Sequence, residues 1–401
     1  MATPSSLRRI NQRKVVRALL SVGSASRADL ARLTELSQPT AGKIVDDLLA
    51  ASLLEDASIE IDSSTRNDRP KIGRPGSMVR LNRARTRFLA IEMGVVRTRA
   101  AYLPVAAQRA DQWTHEIPTP KSPEELLAKL AKALPRDTGV PLDAILVSMP
   151  GVVDESAGRS LLCPNIRWME RVNLSRLLRG LFEAPAVVVQ ENRAMALGQL
   201  ALDPDGDDFL LVELGDGVGG AAVVRGRLYN GPLPLSGELG HTPIIGNARR
   251  CGCGSTGCME TLLSQNGLIA SFAEANKKSP RTWAAVKKDV EEKGIRPWFS
   301  KSLDVAAATI AGAMNVLGVR RVVMSGWIND LPEVVAHHLS SSISRGAMWG
   351  RFGEVSVDIS DKHRMAGLVW AGLDRVMFPV ADESMARNNS GAVADDATAL
   401  A

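Results

Sequence analysis

The chain has 401 residues, 45% of them hydrophobic, so it can bury a substantial core and form two or three domains. This size excludes a small peptide-like scaffold. The sequence has no run of about 18 uninterrupted apolar residues, and residues 1–12 are polar and basic. We therefore predict neither a membrane span nor a secretory signal, and we expect a cytoplasmic protein.

The net charge of +5 comes almost entirely from the N-terminal end of the chain. Residues 1–54 contain eight lysines and arginines against four acidic residues. A local basic excess favours a polyanionic partner such as nucleic acid, although a solvated helix surface has the same composition. Composition alone leaves both interpretations open.

The first 50 residues show the pattern of three helices. Apolar residues recur at helical spacing within 8–21, which predicts the first helix. Ser26 is placed to cap the N-terminus of a short second helix, and Ser37 that of a third helix, with Pro39 in its first turn. The second and third helices are joined by a turn at Glu35, so this pair fits a helix-turn-helix.

The helical pattern stops after residue 53. A polar stretch with a Gly-Arg-Pro-Gly turn at 73–76 leads to the short apolar run 78–81, which predicts a β-hairpin wing followed by a linker. Residues 1–82 are therefore assigned to an N-terminal all-α winged helix-turn-helix domain with its linker.

Beyond residue 82 the pattern changes to apolar strands that alternate with helical stretches, which predicts an α/β body. Residues 381–401 are rich in Ala, Asn, Ser and Asp without periodicity, and we expect them to form a disordered tail. The clearest predicted strands of the body are 88–91, 144–147, 186–189, 209–212 and 322–324.

The predicted third helix is the candidate DNA-reading element. The second helix of a helix-turn-helix enters the major groove with its N-terminal residues facing base edges. The alternative is a three-helix bundle that mediates protein contacts. The candidate base-contacting residues are Gln38, Thr40, Ala41 and Lys43. The rest of the predicted DNA-binding set is Ser37, which caps this helix, and Arg27, Arg69 and Arg74, which are expected to hold the phosphate backbone or minor groove.

Three of the four cysteines fall within eight residues and follow a histidine. His241, Cys251, Cys253 and Cys258 form an H-x9-C-x-C-x4-C pattern, with intervening glycines that allow tight turns. Four soft or borderline ligands predict a tetrahedral, structural Zn²⁺ site. Reduced cysteines that merely share a loop are the alternative interpretation.

These motifs resemble the ROK family, which takes in sugar-responsive repressors and sugar kinases. The most specific match is GELGH at 237–241 followed by CGCGSTGCME at 251–260. The resemblance covers about residues 8–378, and the N-terminal domain is similar to that of the family's repressor branch, such as xylose and N-acetylglucosamine repressors. Further matching segments are 149–154, 164–165, 190–192 and 215–220.

The resemblance implies an actin-like, sugar-kinase-like body of two ribonuclease-H-like lobes. Residues 83–200 would form the first lobe, completed by about 362–380, and 201–361 the second lobe with the zinc site. It also implies a sugar-binding cleft between the lobes, although these polar residues could instead cap a turn, pair with a surface arginine or begin a helix. The implied sugar ligands are Asn165, Asn192, Glu238, His241 and Glu260.

The chain departs from the family's kinases at three positions. It has Asn192-Arg193 where the kinases carry Asn-Asp, and an arginine cannot act as the general base for a sugar hydroxyl. The first phosphate loop begins with Glu92 where the pattern is Asp-x-Gly-x-Thr, and Asp216 replaces a threonine in the second loop. A carboxylate beside phosphates repels them, so we predict that the chain does not phosphorylate sugars.

Arg193 leaves two interpretations open. Its guanidinium can bind an anionic sugar, such as a sugar acid or sugar phosphate. It can equally form an internal salt bridge, for which Glu191 and Asp216 are the candidate partners.

The sequence as a whole predicts a sugar-sensing transcriptional regulator, in the form of a homodimer or homotetramer on a pseudo-palindromic operator. Repression relieved by sugar is the commoner pattern in the family. An active sugar kinase with a fused DNA-binding domain is the alternative, and a regulator that answers to a protein partner instead of a sugar is a third possibility.

Overall fold

The structure of the protein is a computed structural model that describes residues 4–57, 77–84, 86–106, 111–135, 141–203, 206, 208–231, 235–277 and 280–379. The chain separates into two compact units. One unit comprises Met1–Asn82 together with Leu373–Ala401, and the other comprises Arg83–Gly372. The predicted disordered tail, 381–401, lies outside the described residues.

The N-terminal unit is a small helical bundle with a three-stranded antiparallel sheet of order β1-β3-β2. This arrangement of three helices and a small sheet is that of a winged helix-turn-helix. The turn predicted at 73–76 lies outside the described residues. The elements are α1 (Pro4–Val22), β1 (Ser24–Ser26), α2 (Arg27–Thr34), α3 (Gln38–Ala50), β2 (Leu54–Ala57) and β3 (Met78–Leu81).

Local sequence explains where these helices begin and end. Ser26 and Asp29 form a capping box at the start of α2, and Glu35 adopts the left-handed conformation that ends it. Ser37 caps α3 by accepting a hydrogen bond from the backbone N–H of Thr40. The predicted caps and turn are therefore confirmed. The core of the unit includes Val15, Val16, Leu19, Leu30, Ile44, Val45, Leu48 and Val79, all at most 4% exposed.

The segment after residue 372 belongs to the N-terminal unit in the structure, whereas the sequence assigned residues up to 380 to the first lobe. Arg13 on α1 explains this placement. Its guanidinium donates hydrogen bonds to the carbonyl oxygens of Asp374 and Phe378, and it forms an ion pair of 2.8 Å with the Asp374 carboxylate. Arg9 adds a hydrogen bond of 2.8 Å to the Pro379 carbonyl.

The body begins with a five-stranded sheet of order β6-β5-β4-β7-β10. The strands β4, β7 and β10 run parallel to one another. The strand β5 pairs antiparallel with β4, and β6 pairs antiparallel with β5. A two-stranded hairpin, β8 and β9, follows β7. The strands are β4 (Thr86–Met93), β5 (Arg97–Pro104), β6 (His115–Pro118), β7 (Ala144–Met149), β8 (Val152–Asp154), β9 (Arg159–Leu162) and β10 (Ala186–Gln190).

The second sheet repeats the same topology, with order β13-β12-β11-β14-β15. Its first strand again pairs antiparallel with the next strand and parallel with the fourth. Two α/β lobes of one topology are the architecture predicted for the body. The strands are β11 (Phe209–Leu214), β12 (Val218–Val224), β13 (Arg227–Leu228), β14 (Arg321–Gly326) and β15 (Ser356–Ile359).

Two helices connect the lobes. The helix at Glu191–Leu202 packs against the second sheet, and the helix at Arg364–Gly372 packs against the first sheet and against its partner helix. Gly367 makes this close crossing possible, because a Cβ there would lie 1.7 Å from the Ala194 carbonyl oxygen. The helices of the body are α4 (Pro123–Ala133), α5 (Leu174–Phe182), α6 (Glu191–Leu202), α7 (Glu260–Leu263), α8 (Gln265–Ala275), α9 (Trp283–Lys293), α10 (Pro297–Leu317), α11 (Glu333–Gly346) and α12 (Arg364–Gly372).

The length and polarity of these helices bear on the membrane prediction. Among the described residues, no helix combines the length and apolar character that a membrane span requires.

All five of the clearest predicted strands are confirmed, within β4, β7, β10, β11 and β14.

Candidate functional site

The four predicted metal ligands come together in the loop between β13 and α7. One ligand atom from each of His241, Cys251, Cys253 and Cys258 lies within 4.8 Å of the others. The Cys253 and Cys258 sulfurs are 3.8 Å apart, and the Cys251 sulfur is 3.6 Å from His241 Nδ1. Sulfurs bound at about 2.3 Å in a tetrahedron stand about 3.8 Å apart, so the cluster has the dimensions of a metal site.

Two residues that sequence reasoning missed hold this loop in place. The Asn247 amide donates to the Cys258 carbonyl (3.1 Å) and to the Thr261 hydroxyl (2.9 Å). The Arg249 guanidinium donates to the carbonyl oxygens of Thr261 (2.7 Å) and Gly267 (3.1 Å). A spacing motif reports the ligands but not these supports, because their partners are backbone oxygens that any residue supplies.

His241 faces two ways. Its Nδ1 lies toward the thiols, and its Nε2 lies 3.6 Å from a carboxylate oxygen of Glu238. Burial raises the pKa of Glu238, the nearby Glu260 carboxylate raises it further, and His241 opposes both. A metal bound through Nδ1 would therefore fix a ring whose other nitrogen faces the cleft.

All five predicted sugar ligands line a single cleft of about 680 Å³ between the two sheets of the body. This volume is within the range of small-molecule sites. Residues from β4, α6, the 215–219 loop and the metal loop contribute to its walls. The residues in question are Asn165, Asn192, Glu238, His241 and Glu260.

Asn192 lies at the floor of this cleft and is 5% exposed. Its Oδ1 is buried and has no hydrogen-bond partner in the described part of the chain. The close approach of its amide requires Gly219, where a Cβ would lie 2.1 Å from Asn192 Nδ2. An unsatisfied buried acceptor costs about 1–3 kcal/mol, so this oxygen favours a hydroxyl donor.

Glu260 connects the cleft to the metal loop. One carboxylate oxygen accepts a hydrogen bond of 3.0 Å from the backbone N–H of Val218, and the other lies 3.6 Å from the Cys251 sulfur. Glu260 also begins α7, as the alternative interpretation had it. Asn165 lies exposed among the lining residues of the cleft.

A buried ion cluster occupies the other end of the cleft. Arg364, 2% exposed, pairs with Glu92 and lies 3.4 Å from both carboxylate oxygens of Glu213. Lys362 binds Glu213 at 2.6 Å, and Arg99 binds Glu92 at 2.7 Å. These charges link β4, β5 and β11 to the start of α12, and sequence reasoning missed both Lys362 and Arg364.

Glu191 lies beside this cluster, 3.8 Å from the Arg364 guanidinium. Burial raises its pKa to about 8, and the negative charges of Glu213 and Asp216 raise it as well, while Lys362 opposes them. Both effects favour the protonated form of its carboxyl, which limits the negative charge at this end of the cleft.

Arg193 forms an internal salt bridge, but with neither of its candidate partners. Its Nε donates to Glu155 at 2.8 Å, and its other nitrogens donate to the Tyr229 carbonyl (3.2 Å) and the Asn230 side chain. Arg193 is not among the described residues that line the cleft. The geometry therefore gives no support to an anionic sugar bound by Arg193.

The predicted DNA-reading residues lie on the first turns of α3. Ser37, Gln38, Thr40 and Lys43 are exposed there. The inclusion of Ala41 was wrong, because its side chain is 0% exposed and packs into the core of the unit.

Arg27 is partly committed within the N-terminal unit. Its guanidinium binds Asp46 at 2.7 Å and the Ser77 hydroxyl at 2.9 Å. Only the exposed part of the Arg27 side chain is then available for the predicted phosphate contact. Arg69 and Arg74 lie outside the described residues.

A winged helix-turn-helix unit followed by two lobes of kinase-like topology, with a Cys₃His cluster at the cleft, defines a class of two-part proteins. Residues 88–369 match the ROK family, and the chain belongs to that family. This confirms the resemblance found in the sequence.

Individual relatives include both branches of the family. A xylose repressor from Caldicellulosiruptor bescii is 21% identical over 382 residues, covering 90% of this chain and 94% of that protein. An N-acetylmannosamine kinase from Escherichia coli is 31% identical over 203 residues, covering 49% of this chain and 69% of that protein. The crystal structure of a ROK family transcriptional regulator, a homologue of the E. coli MLC protein, has a TM-score of 0.71 at 20% identity, covering 92% of this chain and 97% of that chain. The last likeness shows that the fold extends over nearly the whole chain.

Proposed function

We propose that the protein is a cytoplasmic, sugar-responsive transcriptional repressor that binds operator DNA as a homo-oligomer and does not phosphorylate its sugar. The observation that carries this proposal is the union, in one chain, of an exposed helix-turn-helix with a kinase-like cleft whose base position holds a paired arginine. The repressor relative that matches over 90% of the chain supports it.

The DNA-binding surface is the start of α3. Gln38 can pair with adenine, Thr40 offers a hydroxyl and a methyl group, and Lys43 can reach guanine or a phosphate. Ser37 is engaged as the helix cap, so its contribution is to present this turn correctly. Arg27, Arg69 and Arg74 complete the surface as backbone contacts in this proposal.

The sugar site is the end of the cleft beside the metal loop. Amides and carboxylates offer the paired hydrogen bonds that vicinal hydroxyls need. Asn192 supplies a buried acceptor, Asn165 and Glu238 add groups at the wall, and Glu260 and His241 join the sugar site to the metal. A neutral sugar fits this set, because Arg193 is directed to Glu155.

The metal in this proposal is a structural Zn²⁺. His241, Cys251, Cys253 and Cys258 fill all four positions of a tetrahedron, so no position remains for a reacting water. When bound, the ion would crosslink the loop and fix the orientation of the histidine. The role of the metal is therefore to shape the sugar site.

The proposed loss of phosphoryl transfer rests on two features of the body. Arg193 stands next to Asn192 where a base is needed, and it stays protonated at physiological pH. Lys362 and Arg364, the cations at this end of the cleft, are neutralised by Glu213 and Glu92. Phosphoryl transfer depends on positioned positive charge. Here the positive charges are already paired with internal carboxylates.

The same ion cluster offers a route from the cleft to the DNA-binding unit. Arg364 is the first residue of α12, and the chain continues from the end of α12 into Leu373–Met377, which Arg13 binds on α1. A sugar can shift the equilibrium between two states of the protein only if it binds one of them more tightly than the other. We propose that cleft closure displaces α12 and thereby the segment held by Arg13.

Replacement of Arg13 tests this route. Arg13→Ala removes two hydrogen bonds and an ion pair to the segment after α12. We expect sugar and DNA each to bind nearly as before, while the sugar-induced decrease in DNA affinity falls by about fivefold, on the order of 1 kcal/mol of coupling. An unchanged sugar effect would contradict the route, and Lys14→Ala, at an exposed position of the same helix, is the control.

The proposed function is tested by selecting bound fragments of the source genome with purified protein and repeating the binding with a panel of neutral and anionic sugars. A pseudo-palindromic site that one neutral sugar releases is the expected result. Absence of any specific fragment at moderate salt, with folded metal-loaded protein, would overturn the regulator.

A sugar kinase with a fused DNA-binding domain is the second candidate, favoured by the 31% identity to an N-acetylmannosamine kinase. It predicts ATP-dependent phosphorylation of a sugar. An assay of ADP release with the sugar that releases DNA separates the two functions, because the repressor reaches no rate above that of a sugar-free control.

A further inference from the structure

Arg193, in the first turn of α6, is bonded to both lobes of the body. Its Nε donates to the Glu155 carboxylate at 2.8 Å, in the turn of the first-lobe hairpin between β8 and β9. Its other two nitrogens donate to the Tyr229 carbonyl at 3.2 Å and to the Asn230 side chain, both in the second-lobe segment after β13. These contacts form the Arg193 bridge, which joins the two lobes.

The Arg193 bridge is shielded from solvent at its first-lobe end. The side chains of Arg193 and Glu155 are 14% and 13% exposed. Salt screens a partly buried ion pair much less than an exposed pair. An arginine suits the three contacts because its planar fork carries several N–H donors in fixed directions, whereas a lysine is a point charge.

The same carboxylate also fixes the backbone at the start of α6. The Glu155 oxygen that binds Arg193 accepts a hydrogen bond of 3.0 Å from the backbone N–H of Gln190. The Gln190 side chain in turn caps α6, because its oxygen accepts from the backbone N–H groups of Asn192 (2.8 Å) and Arg193 (3.1 Å). Together these hydrogen bonds set the position of the first turn of α6.

Asn192 lies in this turn, and its amide is tightly enclosed. A Cβ on Gly219 of β12 would lie 2.1 Å from Asn192 Nδ2. The residues of a binding site must be held within about 0.5 Å of their productive geometry. A shift of the first turn of α6 relative to β12 would therefore displace Asn192 Oδ1, the buried acceptor that has no partner within the described ranges.

We propose that Arg193 is a positioning residue for the sugar site, which holds Asn192 in place by joining the first turn of α6 to both lobes. The inference rests on the proposed function, because it concerns the sugar site of that proposal. Arg193 itself does not touch the sugar in this inference. Its contribution to sugar affinity should therefore vanish when the Asn192 amide is absent.

A double-mutant cycle on sugar affinity tests this role. The full-length, metal-loaded protein is titrated by calorimetry with D-glucose, D-xylose and N-acetyl-D-glucosamine as neutral probes. Arg193→Met should weaken binding of the probe that the wild type prefers by about tenfold, but by less than about twofold when Asn192→Ala is already present. Arg179→Met, at an exposed position of α5, is the matched control and should bind like the wild type.

Two milder variants keep the cycle decisive if Arg193→Met does not fold. Arg193→Lys retains a positive charge beside Glu155 but loses the fork. Asn230→Ala removes only a second-lobe contact, made by an exposed side chain. Each variant should weaken sugar binding by about threefold, and neither should weaken it further in the Asn192→Ala background.

Hydrogen exchange provides a second readout, which needs no sugar. Residues 190–193 and 229–230 lie at opposite ends of the Arg193 bridge, and both segments contain hydrogen-bonded backbone N–H groups, those of Gln190 and Tyr229 among them. Arg193→Lys should speed exchange in both segments by about threefold or more, because the bridge then no longer restrains either segment. Arg179→Met should change neither.

The outcomes separate this inference from the proposed function. Arg193 variants that bind sugar like the wild type, or that lose the same factor with and without the Asn192 amide, would overturn the positioning role. Exchange that changes in only one segment or in neither would overturn it as well. If no probe binds the wild type, the sugar site of the proposed function fails for these sugars, and the exchange rates still decide on the Arg193 bridge.

Discussion

The two ends of the cleft differ in how their polar groups are paired. At the metal-loop end, the buried Oδ1 of Asn192 has no partner among the described residues, and Glu238 meets only His241 across 3.6 Å. At the opposite end, Arg364 and Lys362 are matched with Glu92 and Glu213. At the metal-loop end the unpartnered atom is the oxygen of a neutral amide. At the opposite end the charges are neutralised within the protein, although Glu92 Oε2 and Arg364 Nε there also have no hydrogen-bond partner among the described residues.

This difference explains how a kinase-like fold can serve as a sensor. A buried charge is stable only when it is paired, and a kinase leaves part of that pairing to its nucleotide and metal. Here an internal ion cluster supplies the pairing permanently. In the proposed function, the cleft therefore binds hydroxyl groups and offers no unpaired cation to phosphates. The predictions that follow disturb one end or the other.

Removal of the metal should give the largest effect, and it should be confined to the metal-loop end. Cys258→Ser removes a ligand that is 2% exposed. We expect loss of bound zinc and a decrease in the free energy of unfolding of about 4 kcal/mol, or about 10 °C in Tm. Metal analysis and calorimetry measure both quantities.

Cys163, the one cysteine outside the metal cluster, supplies the matched control for this variant. Burial raises the pKa of Cys163 to about 11, so its thiol stays protonated and does not compete for the metal. Cys163→Ala should keep one zinc per chain. Zinc retained by Cys258→Ser at full affinity would argue against a four-ligand site.

At the opposite end, Arg364→Met should cost about 3 kcal/mol of unfolding free energy, because it leaves the Glu92 and Glu213 carboxylates buried without their shared cation. The double variant Glu92→Gln/Arg364→Met should regain a good part of that loss. Denaturant unfolding measures both. Additive losses in the double variant would show that the two residues do not depend on each other.

The fold was predictable where the strands are buried on both faces. The strands β7 and β11 each begin with four consecutive apolar residues, and every residue of each strand is buried. The edge strands β13 and β15 escaped prediction because they are short and half exposed. The repeated topology of the two sheets has no counterpart in a repeat of the sequence, since many different apolar residues satisfy the same strand position.

The site was predictable where its residues are close together in the sequence. The metal ligands form such a spacing motif. The predicted sugar ligands are spread over residues 165–260 and came instead from the resemblance to the family, and the structure brings them to one cleft. Lys362 and Glu213, by contrast, are 149 residues apart. The sequence around each residue gives no sign of such a distant partner. For the same reason, the predicted partners of Arg193 were Glu191 and Asp216, whereas its partner in the structure is Glu155.

Asn192→Ala should weaken sugar binding by about thirtyfold, since it removes the buried acceptor and leaves a sugar hydroxyl unpaired, at a cost of about 2 kcal/mol. The measurement is titration calorimetry with the sugar that releases DNA. Asn329→Ala, an exposed amide outside the cleft, should bind sugar like the wild type. Equal affinities in all three proteins would remove Asn192 from the sugar site.

The smallest expected effect is a pH dependence of the stability, which comes from one carboxyl group beside the ion cluster. The pKa of Glu191 is raised from 4.5 to about 8 in the folded protein, first by burial and then by Glu213. Between these pH values the folded state holds a proton that the unfolded state releases, so this group makes stability fall as pH rises. The penalty is absent below pH 4.5 and complete above pH 8.

Glu191→Gln should therefore leave Tm nearly unchanged at about pH 4 and raise stability at about pH 8.5 by about 1–2 kcal/mol, discounted for the partial exposure of the side chain. Glu183→Gln, at an exposed position after α5, should show no such pH-dependent gain. Equal shifts at both pH values would mean that the neutral amide improves packing and that the proton on Glu191 is not involved. A gain confined to the higher pH would instead show that the cleft tolerates no further negative charge beside its ion cluster, the property that also excludes phosphates.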